Sequence, residues 1–289
     1  MEVGHESNLV YALVYGCILA LGLPLNAVSL WILLRRHSLK SPSVVFMVNL
    51  ALSDLLLAIS LPMRVYFYAT GIWPLSNEAC VWTTMLFRNN IRSSSIFITF
   101  ISVDRLLAVL YPLRSRHLRT ASNALKAVVL AWLFVCVLNI PERLKFSAFI
   151  KSKNHSTCFE FQHNVSHNNS NPQYHKSVFT YLPSVLGLTL LAVNIVCTTL
   201  VSWTLRRHLS DLARVNNKVN VMLIFVINLM MFTICFLPLA VFLFLYGLPV
   251  STPLECLASF NCVLDPLLYY FSLDAFWKNK EDIELAREQ

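Results

Sequence analysis

Apolar residues come in seven long runs along this chain, at residues 10–34, 43–69, 78–111, 121–141, 174–206, 215–246 and 253–272, separated by short polar breaks. The runs are apolar all round, without the single stripe that marks a surface helix of a soluble protein. Each is long enough, at a rise of about 1.5 Å per residue, to cross a hydrocarbon layer about 30 Å thick. The pattern predicts an all-α membrane protein, a bundle of seven transmembrane helices. No internal repeat and no linker interrupts it, so 1–289 reads as one unit. Beyond the last run, the stretch 274–286 sets Phe276, Trp277, Ile283 and Leu285 among charges, which predicts a short amphipathic eighth helix lying on the membrane.

Composition agrees with this reading. Hydrophobic residues make up 56% and charged residues 13%, against about 25% charged in soluble domains, and the mean hydropathy is +0.60. The net charge of +8 would suit nucleic acid, but its placement argues against that partner. Arg35, Arg36 and Lys40 follow the first run, Arg114, Arg116 and Arg119 the third, and Arg206, Arg207, Arg214 and Lys218 lie between the fifth and sixth. With the N-terminus outside, all these loops are cytoplasmic, as the positive-inside rule requires. The first eight residues lack a basic n-region, so the first run reads as a retained helix of a multi-pass plasma-membrane protein. The same topology puts the segment between the fourth and fifth runs outside, where glycosylation sequons at Asn154, Asn164 and Asn168 are usable.

Cys17, Cys136, Cys197, Cys235, Cys256 and Cys262 lie in the helices and read as apolar fillers. Cys80 and Cys158 both face the oxidising side, which predicts a disulfide tying the sequon-bearing loop to the third helix. Zinc-ligand spacings, His-Glu-x-x-His and Gly-x-Ser-x-Gly are all absent from the sequence, so nothing in it recommends an enzyme.

Polar residues inside the runs carry the functional signal, because an ionisable group in a membrane helix is costly and usually marks a working part. Asn26 stands in the first run, Asp54 in Leu-Ala-Leu-Ser-Asp of the second, Asp104-Arg105 at the inner end of the third and Trp132 in the fourth. Pro183 lies in the fifth, Cys-Phe236-Leu-Pro238 in the sixth and Asp265-Pro266-Leu-Leu-Tyr269 in the seventh. Taken in this order, these motifs resemble the rhodopsin-like G-protein-coupled receptors over nearly the whole chain. Phe236 in place of Trp and Asp265 in place of Asn are similar to the purinergic and lysophosphatidic acid receptor branch. So are Ser102-Val-Asp-Arg-Leu-Leu-Ala-Val-Leu-Tyr-Pro112 and Cys158-Phe-Glu-Phe161.

The resemblance implies a heterotrimeric G protein as cytoplasmic partner, with Asp104, Arg105, Phe236, Pro238, Asp265, Pro266 and Tyr269 as activation switch. Asp104 beside Arg105 is expected to form a local ion pair holding the cytoplasmic end closed. Pro238 removes a backbone donor and gives the sixth helix a pivot. Asp54, Ser94, Asn261 and Asp265 match positions that form a sodium pocket favouring the inactive state, and their oxygens suit a hard cation. A water-filled polar cluster is the plainer alternative. No other cofactor is implied.

For the ligand, Arg88 and Arg92 share a face of the third helix, where two stacked like charges call for an anion. Arg64 follows Pro62 in the second helix, and Arg143 and Lys176 make the outer rim basic. These five are the candidate ligand-binding residues. Phosphate on arginine and an acyl tail among aromatic residues point to an anionic lysophospholipid such as lysophosphatidic acid. A nucleotide or small carboxylate is the alternative ligand, and a transporter or channel the alternative class. Only 27 residues separate Pro238 from Pro266, which leaves almost no third outer loop.

Overall fold

The computed structural model describes residues 2–111, 113–152, 158–159, 178–207, 215–246 and 252–270. The sequons at Asn154, Asn164 and Asn168, Lys176, and the amphipathic stretch 274–286 lie outside the described residues.

Most of the described residues are helical: α1 Glu2–Arg36, α2 Pro42–Thr70, α3 Asn77–Leu110, α4 Ala121–Ser152 and α5 Val178–Arg207. The sixth, α6, runs through Val215–Met231, one π-helical turn Phe232–Phe236 and Leu237–Tyr246. The seventh, α7, covers Thr252–Ser259, turns at Phe260 and resumes over 261–270. Six of these helices are long and apolar enough to cross a membrane, and α7 is the one divided by a turn. Among the described residues there is no strand.

Local chemistry explains the boundaries. Pro42 opens α2, where its missing N–H is not needed. Gly71, at φ +72°, closes α2 in a left-handed conformation open to glycine and returns its N–H to the Phe67 carbonyl at 2.7 Å. The Ser76 side chain caps α3 by accepting from the Ala79 N–H at 3.3 Å.

Two departures from the sequence reading matter. Helix α4 continues through Pro141 to Ser152, past the expected end at 141, so residues 142–152 are helical and Glu142 is carried on α4. Helix α6 widens into a π turn that ends two residues before Pro238, where the proline ring would otherwise clash with the carbonyl four residues back. The widened turn sets Phe232 edge-on to Phe236 with centroids 5.2 Å apart.

The packing is that of a membrane bundle. Large apolar side chains such as Leu13, Ile59, Leu130 and Val137 face outward, where lipid is the solvent. The interior holds two main apolar clusters. One lies towards the inner half, built on Leu50, Phe97, Phe232, Phe236 and Tyr269. The other lies towards the outer half, on Tyr15, Phe67, Tyr68, Phe87 and Cys158. Polar side chains are buried between and within them, and α3 is central, touching α2, α4, α5 and α6.

Helices α1 and α7 meet at Gly22 and Asn26. The Asn26 amide donates to the carbonyls of Gly22 at 3.0 Å and Cys262 at 2.7 Å. A Cβ on Gly22 would stand 2.7 Å from Cys262 Sγ, so this approach requires glycine. Gly22→Ala is therefore expected to destabilise the bundle by about 1–3 kcal/mol through overpacking. Cys262→Ala in the same chain should restore most of the loss, read as thermal unfolding in detergent.

Candidate functional site

Arg64 is the largest side chain wholly enclosed in the protein, and it anchors the outer site. Helix α2 carries it inward half a turn past Pro62, with 1% of its side chain exposed. Its Nη1 donates to Glu255 Oε2 of α7 at 2.9 Å. The guanidinium faces are covered by aromatic rings, with Phe87 at 3.7 Å and Phe159 at 4.4 Å from the central carbon, and Tyr15 at 5.7 Å. Rings in this position attract a cation and keep water from it. The Nε and Nη2 donors have no hydrogen-bond partner.

Phe159 reaches Arg64 because a disulfide joins Cys158 to Cys80 at the start of α3. From there its ring also contacts Phe67, Tyr68 and Trp73, at 5.3, 6.2 and 5.5 Å. On α7, Thr252 accepts a 3.5 Å hydrogen bond from the Tyr68 hydroxyl. The outer site is thus a buried arginine within an aromatic cage that bridges α2 and α7. Sequence reasoning missed Glu255. The available signal was a lone acid in the apolar run Thr252-Pro-Leu-Glu-Cys-Leu.

Arg88 and Arg92 were expected to lack an internal counter-ion, and that premise does not hold. Glu142, which α4 carries because it continues past Pro141, accepts from Arg88 Nη1 at 3.3 Å and from Arg92 Nη2. Arg92 also donates to Asn139, whose own amide donates to Asn89 and to the Val135 carbonyl. The pair of like charges is therefore relieved inside the protein, at the α3–α4 seam. Arg143 lies apart from both, with its guanidinium 4.3 Å from the Trp82 ring. Lys151 pairs loosely with Glu78 at 3.8 Å on the surface.

The sodium-pocket residues do come together, deeper in the bundle. Asp54 Oδ1 accepts from Asn90 at 2.8 Å and from Ser94 at 3.4 Å. Ser53 and Ser93 share a 2.6 Å hydrogen bond beside them. On α7, Asn261 donates to Asp265 at 3.3 Å, and Asp54 and Asp265 face each other between α2 and α7. Four fully buried oxygens of this cluster have no donor: Asp54 Oδ2, Asn90 Oδ1, Asn261 Oδ1 and Asp265 Oδ1. Unanswered oxygen acceptors of this kind suit a hard cation. Sequence reasoning missed Asn90, although it sits one turn before Ser94 on the same face.

At the inner end the expected pair between Asp104 and Arg105 is not formed. Adjacent residues on a helix point about 100° apart and do not face each other. Asp104 instead accepts from Arg119 at 2.8 and 3.2 Å, and from the Ser43 hydroxyl of α2. Arg105 Nε is left without a partner. One turn deeper, Ser102 donates to Asn194 of α5 at 2.7 Å and accepts from Asn228 of α6 at 2.9 Å. Asn194 also donates to Thr99 at 2.8 Å, which completes a buried polar bridge across α3, α5 and α6. Phe236 and Tyr269 pack in the same inner cluster, with the Tyr269 hydroxyl unpartnered. Pro238 follows Leu237 after the π turn, and Pro266 lies one residue after Asp265 in the inner half of α7.

Comparison with known proteins agrees with this architecture. The sequence profile of the 7 transmembrane receptor (rhodopsin family) matches residues 25–269. Lysophosphatidic acid receptor 5 of Bos taurus is 36% identical, over 94% of this chain and 77% of its own length. Lysophosphatidic acid receptor 4 of Homo sapiens is 33% identical, over 92% of this chain and 75% of its own. Lysophosphatidic acid receptor 6 of Gallus gallus is 31% identical, over 93% and 92% respectively. The buried switch residues, the disulfide over the outer site and these matches lead to one conclusion: the chain belongs to the rhodopsin family of seven-transmembrane receptors, multi-pass proteins of the plasma membrane that act through heterotrimeric G proteins and not as enzymes.

Proposed function

We propose that this receptor is activated by an extracellular lysophospholipid of the lysophosphatidic acid type, with Arg64 as the contact for the phosphate. One observation carries the reading. Arg64 is buried among Tyr15, Phe87 and Phe159 yet keeps the Nε–Nη2 edge of its guanidinium unanswered. That edge is the bidentate fork with which arginine grips phosphate. The names of the relatives support the ligand class, and the aromatic cage suits an acyl chain better than the polar edges of a nucleotide base. Arg88 and Arg92, engaged by Glu142, brace α3 against α4 and shape the wall of the site. Arg143 and Lys176 stay in the proposal as rim charges that attract the anion, a weaker role because exposed charges are screened.

Signal transfer follows from the inner groups. Arg105, with donors to spare, is the contact for the G protein once α6 swings about Pro238 and its π turn. The Asp104–Arg119 pair and the Ser102–Asn194–Asn228 bridge hold the resting arrangement. A sodium ion on Asp54, Ser94, Asn261 and Asp265, with Asn90 beside them, would supply the positive charge that two facing carboxylates need, and would favour that resting state.

Two experiments test this. In cells expressing the chain, G-protein activation is measured against lysophospholipids and nucleotides of matched concentration. A lysophospholipid response is expected, and the double variant R64Q/E255Q should weaken it about 10- to 100-fold, the worth of losing a charge-assisted bidentate contact. Removing both partners avoids stranding one buried charge. A nucleotide response, or a lipid response indifferent to Arg64 at normal surface expression, overturns the assignment. In membranes, replacing sodium by choline should raise agonist affinity several-fold. The variant D54N should remove that sensitivity, and an unchanged sodium effect in D54N would dismiss the ion site.

A further inference from the structure

We infer that the outer end of the α3–α4 seam binds a phospholipid of the surrounding membrane, with Arg143 as the contact for its phosphate. This site is separate from the Arg64 cage and does not depend on which agonist the receptor takes.

A groove of about 420 Å³ opens there on the outside of the bundle. Helix α4 lines it with Ile140, Arg143, Leu144, Ser147 and Lys151, and Glu78 of α3 stands across from them. The α4 positions recur at intervals of three and four, so they share one face of the helix. Lys151 and Glu78 lie at the outer ends of their helices, which is the level of the lipid headgroups. At the rise of an α-helix, Ile140 lies about 16 Å deeper, among the acyl chains of the outer leaflet. Ile140 and Leu144 are exposed, and an exposed apolar side chain of a membrane bundle meets lipid.

Arg143 stands between these two levels. Its guanidinium lies against the Trp82 ring at 4.3 Å, a contact that holds the cation in place but accepts no strong hydrogen bond from it. The neighbouring acids are engaged elsewhere. Glu142 takes Arg88 and Arg92, and Glu78 takes Lys151 at 3.8 Å. Among the described residues no acid pairs with Arg143, and an arginine without a counter-ion at the edge of the hydrocarbon is costly. Within the groove Arg143 and Lys151 outnumber the one carboxylate, so the surplus charge is positive. Ser147, one turn outward on the same face, adds a hydroxyl.

A phosphodiester answers this arrangement. It brings one negative charge and two oxygens that match the guanidinium fork. The acyl chains attached to it continue down the stripe over Leu144 and Ile140. A free phosphate would satisfy Arg143 but leave the apolar half of the groove uncovered. A lipid without phosphate would do the reverse.

The full chain is purified in maltoside micelles, which contain no phosphate. It is then irradiated with phosphatidylcholine carrying a photoactivatable group on an acyl chain, or with diacylglycerol carrying the same group. Labelling of the segment 140–151 is read by peptide mass spectrometry. Phosphatidylcholine should label it about ten-fold more than diacylglycerol, the worth of a charge-assisted contact. Arg143→Gln should bring phosphatidylcholine down to the diacylglycerol level, and Arg143→Lys should recover part of the difference. Ser147→Trp, which fills the groove with Arg143 in place, should remove the labelling by both lipids. Thermal unfolding verifies that each variant is folded, and the comparison of the two lipids needs no variant. Equal labelling by the two lipids overturns the inference, as does labelling by phosphatidylcholine that survives Arg143→Gln or Ser147→Trp. Displacement of the label by lysophosphatidic acid, at a concentration that just saturates activation, gives the groove to the agonist and overturns it too.

Discussion

A charge inside a membrane bundle cannot lean on water, so it must find its opposite on another helix or be neutralised by something that binds. This requirement arranges the interior of the receptor at every level. Near the outer surface Arg64 of α2 is held by Glu255 of α7, and Arg88 and Arg92 of α3 by Glu142 of α4. At the inner end Asp104 of α3 is held by Arg119, beyond the short 3-10 turn Arg114–His117. Each pair joins segments that the apolar packing alone would leave free to slide, because lipid and side-chain hydrocarbon are equally apolar and give little directional preference. The charges therefore act less as a source of net stability than as markers of register between helices.

The Asp54–Asp265 cluster is the place where pairing within the protein fails. Two carboxylates face each other, no cationic side chain reaches them, and four oxygens lack donors. Elsewhere the protein answers an acid with an arginine, and here it answers with amides and hydroxyls, which leave negative charge in surplus. The contrast between this cluster and the closed ion pairs is the chemical ground, separate from the likeness to other receptors, on which a cation is proposed there.

How much of this was legible beforehand divides along a physical line. The helices could be read because a span is a local property: a run of apolar residues long enough for the hydrocarbon layer is visible without knowing its neighbours. The motif residues could be singled out because each is a polar, aromatic or proline position within a single apolar run. The partners could not. Glu142 and Glu255 matter only through residues far away in sequence, and one of them depends on α4 continuing through Pro141, where local rules favour a break. Arg88 and Arg92 looked like unrelieved repulsion because the sequence places them on one face and hides what stands opposite. The expected Asp104–Arg105 pair failed for the converse reason, since neighbours in sequence are not neighbours on a helix face. The π turn of α6 is a backbone response to Pro238 and to packing together, and no residue pattern announces it.

Helix α7 gives these separate sites a common mechanical element. Its outer part, Thr252–Ser259, carries Glu255, and its inner part, 261–270, carries Asn261, Asp265 and Tyr269, with the turn at Phe260 between them. The Ser259 hydroxyl closes onto the Glu255 carbonyl at 2.7 Å, so the outer part ends in a bonded turn immediately before the break. On the far side of the break, Asn261 and Asp265 sit in the donor-poor cluster with Asp54, while Cys262 packs against Gly22 of α1. The close contact with α1 lies on one side of the inner part, and Asp265 faces Asp54 on another. Arg64 outside and Asp54 inside thus engage the two parts of one helix, so any displacement of α7 alters both sets of contacts.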